Sequence, residues 1–170
     1  MALIKLNNQS LSAVTSAGLP SGTVLQVQSA TLTTITTMSG NSYADVSGMS
    51  VSITPSSTSS KILVLVNMHV NPANSMGVVW KLLRNTTDIA VNNASNISTG
   101  GAYCDTGGSA GNSWNGNSIS HLDSPSTTSS VTYKVQARGT ANSSFGINRR
   151  SNYSGDFGGA SSITVMEIAG

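Results

Sequence analysis

From Thr23 to Ile168 the apolar residues recur every second position, and no stretch repeats them at the helical spacing of three and four. Alternation of this kind puts one side of an extended chain against a core and the other toward solvent, which defines a half-buried β-strand. The clearest run is Lys61–Asn71, where Ile62, Val64, Val66, Met68 and Val70 share a face. Leu63 and Leu65 lie on its opposite face, so burial on both sides is expected, as in a central strand or at a subunit contact. His69 shares that second face and is read as a packed or interface residue.

Other strands follow along the chain. Thr23–Ser29 and Thr31–Met38 are rich in Thr and Val, and Met49, Val51 and Ile53 alternate with Ser before Pro55. Ser56-Ser57-Thr58-Ser59-Ser60 reads as a turn. Gly77–Arg84 sets Val78, Trp80 and Leu82 on one face, then turns through Asn85-Thr86-Thr87-Asp88 into Ile89–Val91. Residues 92–117 read as a long loop punctuated by Gly100-Gly101, Gly107-Gly108 and Asn115-Gly116, the last a tight-turn signal. Ile119–Asp123, Val131–Arg138, Phe145–Asn148 and Ile163–Ile168 complete the set. Eight to ten short strands between Gly, Pro and Asn turns predict an all-β antiparallel sandwich. The simplest division is an extended N-terminal arm, residues 1–21, and a head domain, residues 22–170. The arm carries Leu3, Ile4 and Leu6 as a small apolar anchor; docking on a neighbour and simple fraying are both open to such a segment.

Charged residues make up only 8% of the chain, against roughly 25% in ordinary soluble domains. Ser, Thr and Asn supply roughly four residues in ten, far above average usage. A surface built from these side chains gains little from charge repulsion and suits life within an assembly. The net charge of +2, from scattered Lys and Arg, does not predict a nucleic-acid partner. No apolar run reaches a membrane span, and the start lacks the apolar core of a secretory signal. The single cysteine, Cys104, rules out an internal disulfide framework and, with no basic neighbour in sequence, reads as structural.

No motif predicts catalysis, and no cofactor is expected. Gly107-Gly108-Ser109-Ala110-Gly111 matches G-x-S-x-G but lacks the strand before and helix after that a nucleophile elbow needs. His121, Asp123 and Ser124 adjoin one another, yet neighbouring strand residues point to opposite faces. Two histidines and one cysteine give no zinc spacing, so no metal site is expected. Asp45, Asp88, Asp105 and Asp156 are assigned to turns, where Asp is common. Glu167, the only glutamate, stands out of phase with Met166 and Ile168, and a salt bridge or subunit contact is its expected role.

Several segments in shared order carry a family resemblance: the arm Ala2-Leu3-Ile4-Lys5-Leu6-Asn7; the entry Gly18-Leu19-Pro20-Ser21-Gly22; Ile53-Thr54-Pro55 leading to Lys61-Ile62-Leu63-Val64; Leu83-Arg84-Asn85-Thr86-Thr87-Asp88-Ile89; Leu122-Asp123-Ser124-Pro125; and Ser162-Ile163-Thr164-Val165-Met166-Glu167-Ile168. Together they resemble small virion structural proteins of tailed bacteriophages with a C1q/TNF-like jelly-roll head. The resemblance implies a homotrimeric jelly roll carried on the virion. In such a trimer the second face of Lys61–Asn71 places Leu63, Leu65 and His69 at the trimer interface, and the lone cysteine fits assembly in the bacterial host cytoplasm. The resemblance does not separate head decoration from a tail-fibre tip. The sequence, with no shaft, coiled coil or fibrous repeat, favours a capsid decoration (cement) protein bound to the major capsid protein, the arm docking through Leu3, Ile4 and Leu6. The alternative is a tail-fibre or receptor-binding tip, among tail proteins, gripping a host surface glycan or protein through Tyr103 and Trp114 in the long loop; Trp114 folded back over the barrel end is the plainer reading of that residue.

Overall fold

A computed structural model describes residues 19–72, 76–93, 98–104, 115–149 and 158–170. Among them are eleven strands and no helix: β1 (Val24–Leu32), β2 (Thr36–Ser39), β3 (Ala44–Ile53), β4 (Lys61–Asn71), β5 (Met76–Arg84), β6 (Thr87–Ile89), β7 (Gly100–Cys104), β8 (Asn115–Asp123), β9 (Val131–Gly139), β10 (Ser144–Ile147) and β11 (Ser161–Ile168). They form two antiparallel sheets. The six-stranded sheet runs β1-β11-β4-β10-β2 with β8 on β4, and the five-stranded sheet runs β3-β9-β5-β6 with β7 on β5. With the short β2, β6 and β10 set aside, eight strands remain. Counted in chain order, the first sheet runs first, eighth, third, sixth, and the second runs second, seventh, fourth, fifth. That is the double-sheet wrapping of a jelly roll, so the fold class expected from alternation is the one present.

The core lies between the sheets. Ile62, Val64, Val66, Met68 and Val70 of β4 meet Val78, Trp80 and Leu82 of β5 and Tyr133 and Val135 of β9, all essentially without solvent exposure. The bounds of β4 and the inward faces of β4 and β5 match the sequence reading. Elsewhere the structure differs. The first two strands break at 33–35 rather than at Ala30, and β3 begins at Ala44, with a register shift between Asp45 and Ser50. Asp45 and Asp88 therefore sit in strands, not turns.

The largest correction concerns residues 92–117, which hold β7 and the start of β8. Gly100 and Gly101 are not turn residues. They pair with Trp80 and Val79, and a Cβ on Gly100 would lie 2.8 Å from the Trp80 ring. A bare backbone is what lets β7 cover the buried indole. Gly100→Ala is expected to destabilise by about 1–3 kcal/mol through overpacking against a rigid ring, read as a lower urea midpoint at unchanged slope. Asn115-Gly116 likewise pairs with Val70 and His69 inside β8, tertiary pairing overriding a local turn signal.

The six-stranded sheet changes partners partway along β4. β11 pairs with β4 from Lys61 to Asn67, and β10 takes over at Val70 and Asn71. Asn148 closes the gap. Fully buried, with φ of 57°, it adopts the left-handed conformation that Asn tolerates. Its backbone N–H donates to the His69 carbonyl (3.0 Å) and its Nδ2 to the Leu32 carbonyl (2.6 Å). Ser161 Oγ donates to Asn148 Oδ1 (2.6 Å) and accepts from the His69 N–H (3.0 Å). Asn148 and Ser161 are thus fully paired, as an interior demands. At the neighbouring Asn71, Nδ2 donates to the Arg149 carbonyl (3.1 Å), while the buried Oδ1 has no partner among the described residues.

Candidate functional site: the uncharged face of the six-stranded sheet

The outward side chains of the two sheets differ in kind. On the five-stranded sheet, Lys81 pairs with Asp88 (2.7 Å) and Lys134 with Asp45 (2.9 Å). The Tyr43 ring lies 4.6 Å from Lys81 Nζ and 5.2 Å from the Arg138 guanidinium carbon, within cation–π range. Lys134, followed by Gln136, holds the Asp45 carboxyl below its usual range by hydrogen bonding. Three cations and two carboxylates share this face, and both carboxylates are paired within the chain.

The six-stranded sheet has almost none. Register and burial place outward Val24, Val27, Ser29 and Thr31 of β1; Ser162, Thr164, Met166 and Ile168 of β11; Lys61, Leu63, Leu65, Asn67 and His69 of β4; and Gly116, Ser118, Ser120 and Leu122 of β8. Lys61 is the only charged residue of that set, its Nζ tied to Ser124 Oγ at 2.8 Å, and Arg149 adds one cation at the β10–β2 end of the same side, its Nη1 2.9 Å from Thr37 Oγ1. Four of the five large hydrophobic residues found exposed lie here: Val24, Val27, Leu65 and Leu122. Register arranges the face in rows. Val27, Met166, Leu63 and Leu122 stand side by side across four strands as an apolar ridge. The next two rows, Ser29-Thr164-Leu65-Ser120 and Thr31-Ser162-Asn67-Ser118, carry mostly small hydroxyl side chains. Between β11, β4 and β8 these rows form an open hollow of about 470 Å³ around Leu65. A contiguous apolar patch rimmed by polar groups marks an interaction surface.

Leu63, Leu65 and His69 all belong to this face. Leu63 and His69 are half-buried and Leu65 is 36% exposed, so the expected double coverage of β4 is not met within one chain. Sequence reasoning missed Val27, Met166 and Leu122, which only strand register brings beside Leu63. Leu3, Ile4, Leu6, Trp114 and the G-x-S-x-G segment lie outside the described residues, as does the side chain of Tyr103, whose backbone runs in β7.

The carboxylates are structural. His121 and Asp123 share the inward side of β8, two residues apart, but both Asp123 oxygens are occupied: Arg84 Nη1 lies 2.9 Å from each, and the Tyr133 hydroxyl donates to Oδ2 at 2.6 Å. Burial, reinforced by Asp123, pushes the Tyr133 phenol far above its ordinary range. Glu167 was expected in a salt bridge or subunit contact. Instead it points inward with Ile163 and Val165, fully buried, while Met166 and Ile168 face out. Its carboxylate accepts from Gln26 Nε2 (2.6 Å), the Ser56 N–H and Oγ (both 2.7 Å) and Ser60 Oγ (2.7 Å), all neutral donors. Among the described residues no three His, Cys, Asp or Glu side chains gather as a metal site would require.

Fold and face together define an antiparallel β-sandwich of jelly-roll order with one charged face and one almost uncharged, partly apolar face. No known family model matches the chain, and no curated protein matches it.

Proposed function

We propose that the chain is a non-enzymatic virion structural protein of a tailed bacteriophage: a homotrimeric capsid decoration (cement) protein with a C1q/TNF-like head, assembled in the host cytoplasm. The observation that carries the assembly part is the uncharged outer face of the six-stranded sheet, with Val27 and Leu122 half or more exposed. Left in water, such a face is unfavourable; buried against a neighbour, each large apolar side chain contributes up to roughly 1.5–3 kcal/mol before ordering terms. Leu63, Leu65 and His69 would then lie at the trimer contact, and Leu3, Ile4 and Leu6 would anchor the arm on the major capsid protein. The virion setting rests on the resemblance of the quoted segments. Several modest neutral contacts, repeated by each subunit, would hold a decoration protein by avidity.

Native mass spectrometry of the purified chain and its copy number in purified particles test this. A trimer present at the multiplicity of the capsid lattice is the expected result. A copy number matching a single tail would instead place the protein at a fibre or receptor-binding tip. A stable monomer absent from particles would overturn the proposal.

A further inference from the structure

We infer that copies of this chain dock by seating the apolar ridge of one, led by Leu122, in the hollow around Leu65 of the next, through a contact that contains no ion pair. The inference rests on the self-assembly part of the proposed function and not on its virion setting. Three observations carry it.

The ridge and the hollow adjoin one another on the same face. Val27, Met166, Leu63 and Leu122 span four strands, about 14 Å at ordinary strand spacing. One row away Ser120 and Thr164, and two rows away Ser118 and Ser162, are small enough to leave the hollow open beside Leu65. Leu122, the most exposed large apolar residue of the described chain at 56%, is a knob of the size such a hollow accepts.

Charge selects the occupant. A partner presenting carboxylates or guanidinium groups at the ridge and hollow would bury them where Lys61, already tied to Ser124, is the one adjoining charge among the described residues, Arg149 lying toward the β10–β2 end beside Thr37. An unpaired buried charge is strongly unfavourable. The occupant must therefore offer an uncharged surface with an apolar relief. The other broad face of this chain does not qualify, because it carries Lys81, Asp88, Lys134, Asp45 and Arg138. The ridge itself does. A second copy of the same face matches in chemistry and in relief.

The polar groups around the hollow are compatible with closure. Ser29 and Thr164 hydroxyls already bond each other (2.9 Å), and Ser118 Oγ donates to Asn67 Oδ1 (3.2 Å), so covering these pairs strands few donors. Because ridge and hollow are distinct patches, each copy can give its ridge to one neighbour and its hollow to another, a heterologous contact able to close into a ring.

The test uses the full chain with Cys104→Ser throughout. Leu65→Cys and Leu122→Cys proteins are prepared separately, mixed, allowed to exchange subunits and oxidised. The expected result is a disulfide-linked pair containing one of each variant, at several times the yield from either variant alone. Leu122→Ser, at a position whose exposure makes a folding defect unexpected, should weaken association about tenfold or more, the equivalent of 1.4 kcal/mol. Lys134→Glu on the other face should leave association unchanged. Raising sodium chloride from about 0.05 to 1 M should not weaken the contact, since screening acts on ion pairs. An oligomer that forms no mixed disulfide and tolerates Leu122→Ser would overturn this docking mode while leaving self-assembly intact. A parent chain that is monomeric would overturn both.

Discussion

Replacing Glu167 with alanine is expected to destabilise the domain by about 3–5 kcal/mol, near the upper end for a single substitution. The carboxylate is fully buried and, held on β11, accepts from two other segments at once: Gln26 on β1, and Ser56 and Ser60 in the β3–β4 connection. Gln26 Nε2 also donates to the Thr54 carbonyl (2.7 Å), so the side chain laces β1 to that connection. Removal leaves the buried Ser60 hydroxyl without its acceptor, at about 1–3 kcal/mol, and adds the loss of the packed side chain, whereas the half-buried Gln26 amide and the exposed Ser56 regain water. Glu167→Gln should cost about half as much, because an amide oxygen still accepts while its NH₂ confronts one donor. Burial alone would raise the Glu167 pKa, but the bonds from Gln26, Ser56 and Ser60 outweigh it and hold the value below 4.5. A lowered folded-state value means that this stabilisation is fully present above the unfolded carboxylate range and disappears as pH falls through the folded value. Asp45 acts in the same direction, though on an exposed pair worth little. Urea unfolding should therefore show a stability plateau above about pH 5.5 and a decline below about pH 4.5, flattened in Glu167→Gln. A parent chain equally stable at pH 3 and pH 6 would contradict a caged, ionised carboxylate.

Glu167 also shows where sequence reading stops. In Ser161–Ile168 both alternating sets hold apolar residues, Ile163 and Val165 in one and Met166 and Ile168 in the other. Which set faces inward is decided by pairing with β4, where Glu167 falls opposite the buried Ile62. A one-residue shift would exchange the faces, and nothing local forbids it. β9 was legible because polar residues fill its outer face, and β4 because the five in-phase apolar residues from Ile62 to Val70 outweigh Leu63 and Leu65 on the other. β7 was hidden because its glycines answer to the Trp80 ring, a contact made by tertiary packing. The candidate interface was legible only in part. Leu63 and Leu65 announce a second apolar face within one strand, whereas the ridge joins positions 27, 63, 122 and 166, which register alone places in a row.

Asp123→Ala is expected to rank with Glu167→Ala, at about 3–5 kcal/mol, the range for breaking a buried pair by removing one partner. Asp123 lies at the end of β8, nearly buried, across from Ile62, and joins the two sheets through Arg84 of β5 and Tyr133 of β9. Without the carboxylate, the fully buried Tyr133 hydroxyl loses its acceptor, and the Arg84 guanidinium retains only the Ser124 carbonyl at 3.3 Å. Arg84 is about one-quarter exposed and recovers some hydration, which keeps the expected loss from exceeding this range. Tyr133→Phe should be milder, about 1–2 kcal/mol, since Asp123 keeps both bonds to Arg84 and only one neutral donor is lost. The double variant separates the contributions. If Tyr133 and Arg84 depend on the same carboxylate, Asp123→Ala combined with Tyr133→Phe should unfold at a higher urea concentration than the sum of the single losses predicts, because the phenylalanine no longer buries an orphaned hydroxyl. Strict additivity would show that the Tyr133–Asp123 bond at 2.6 Å contributes nothing beyond packing, and that the two sheets are held at this end by the arginine alone.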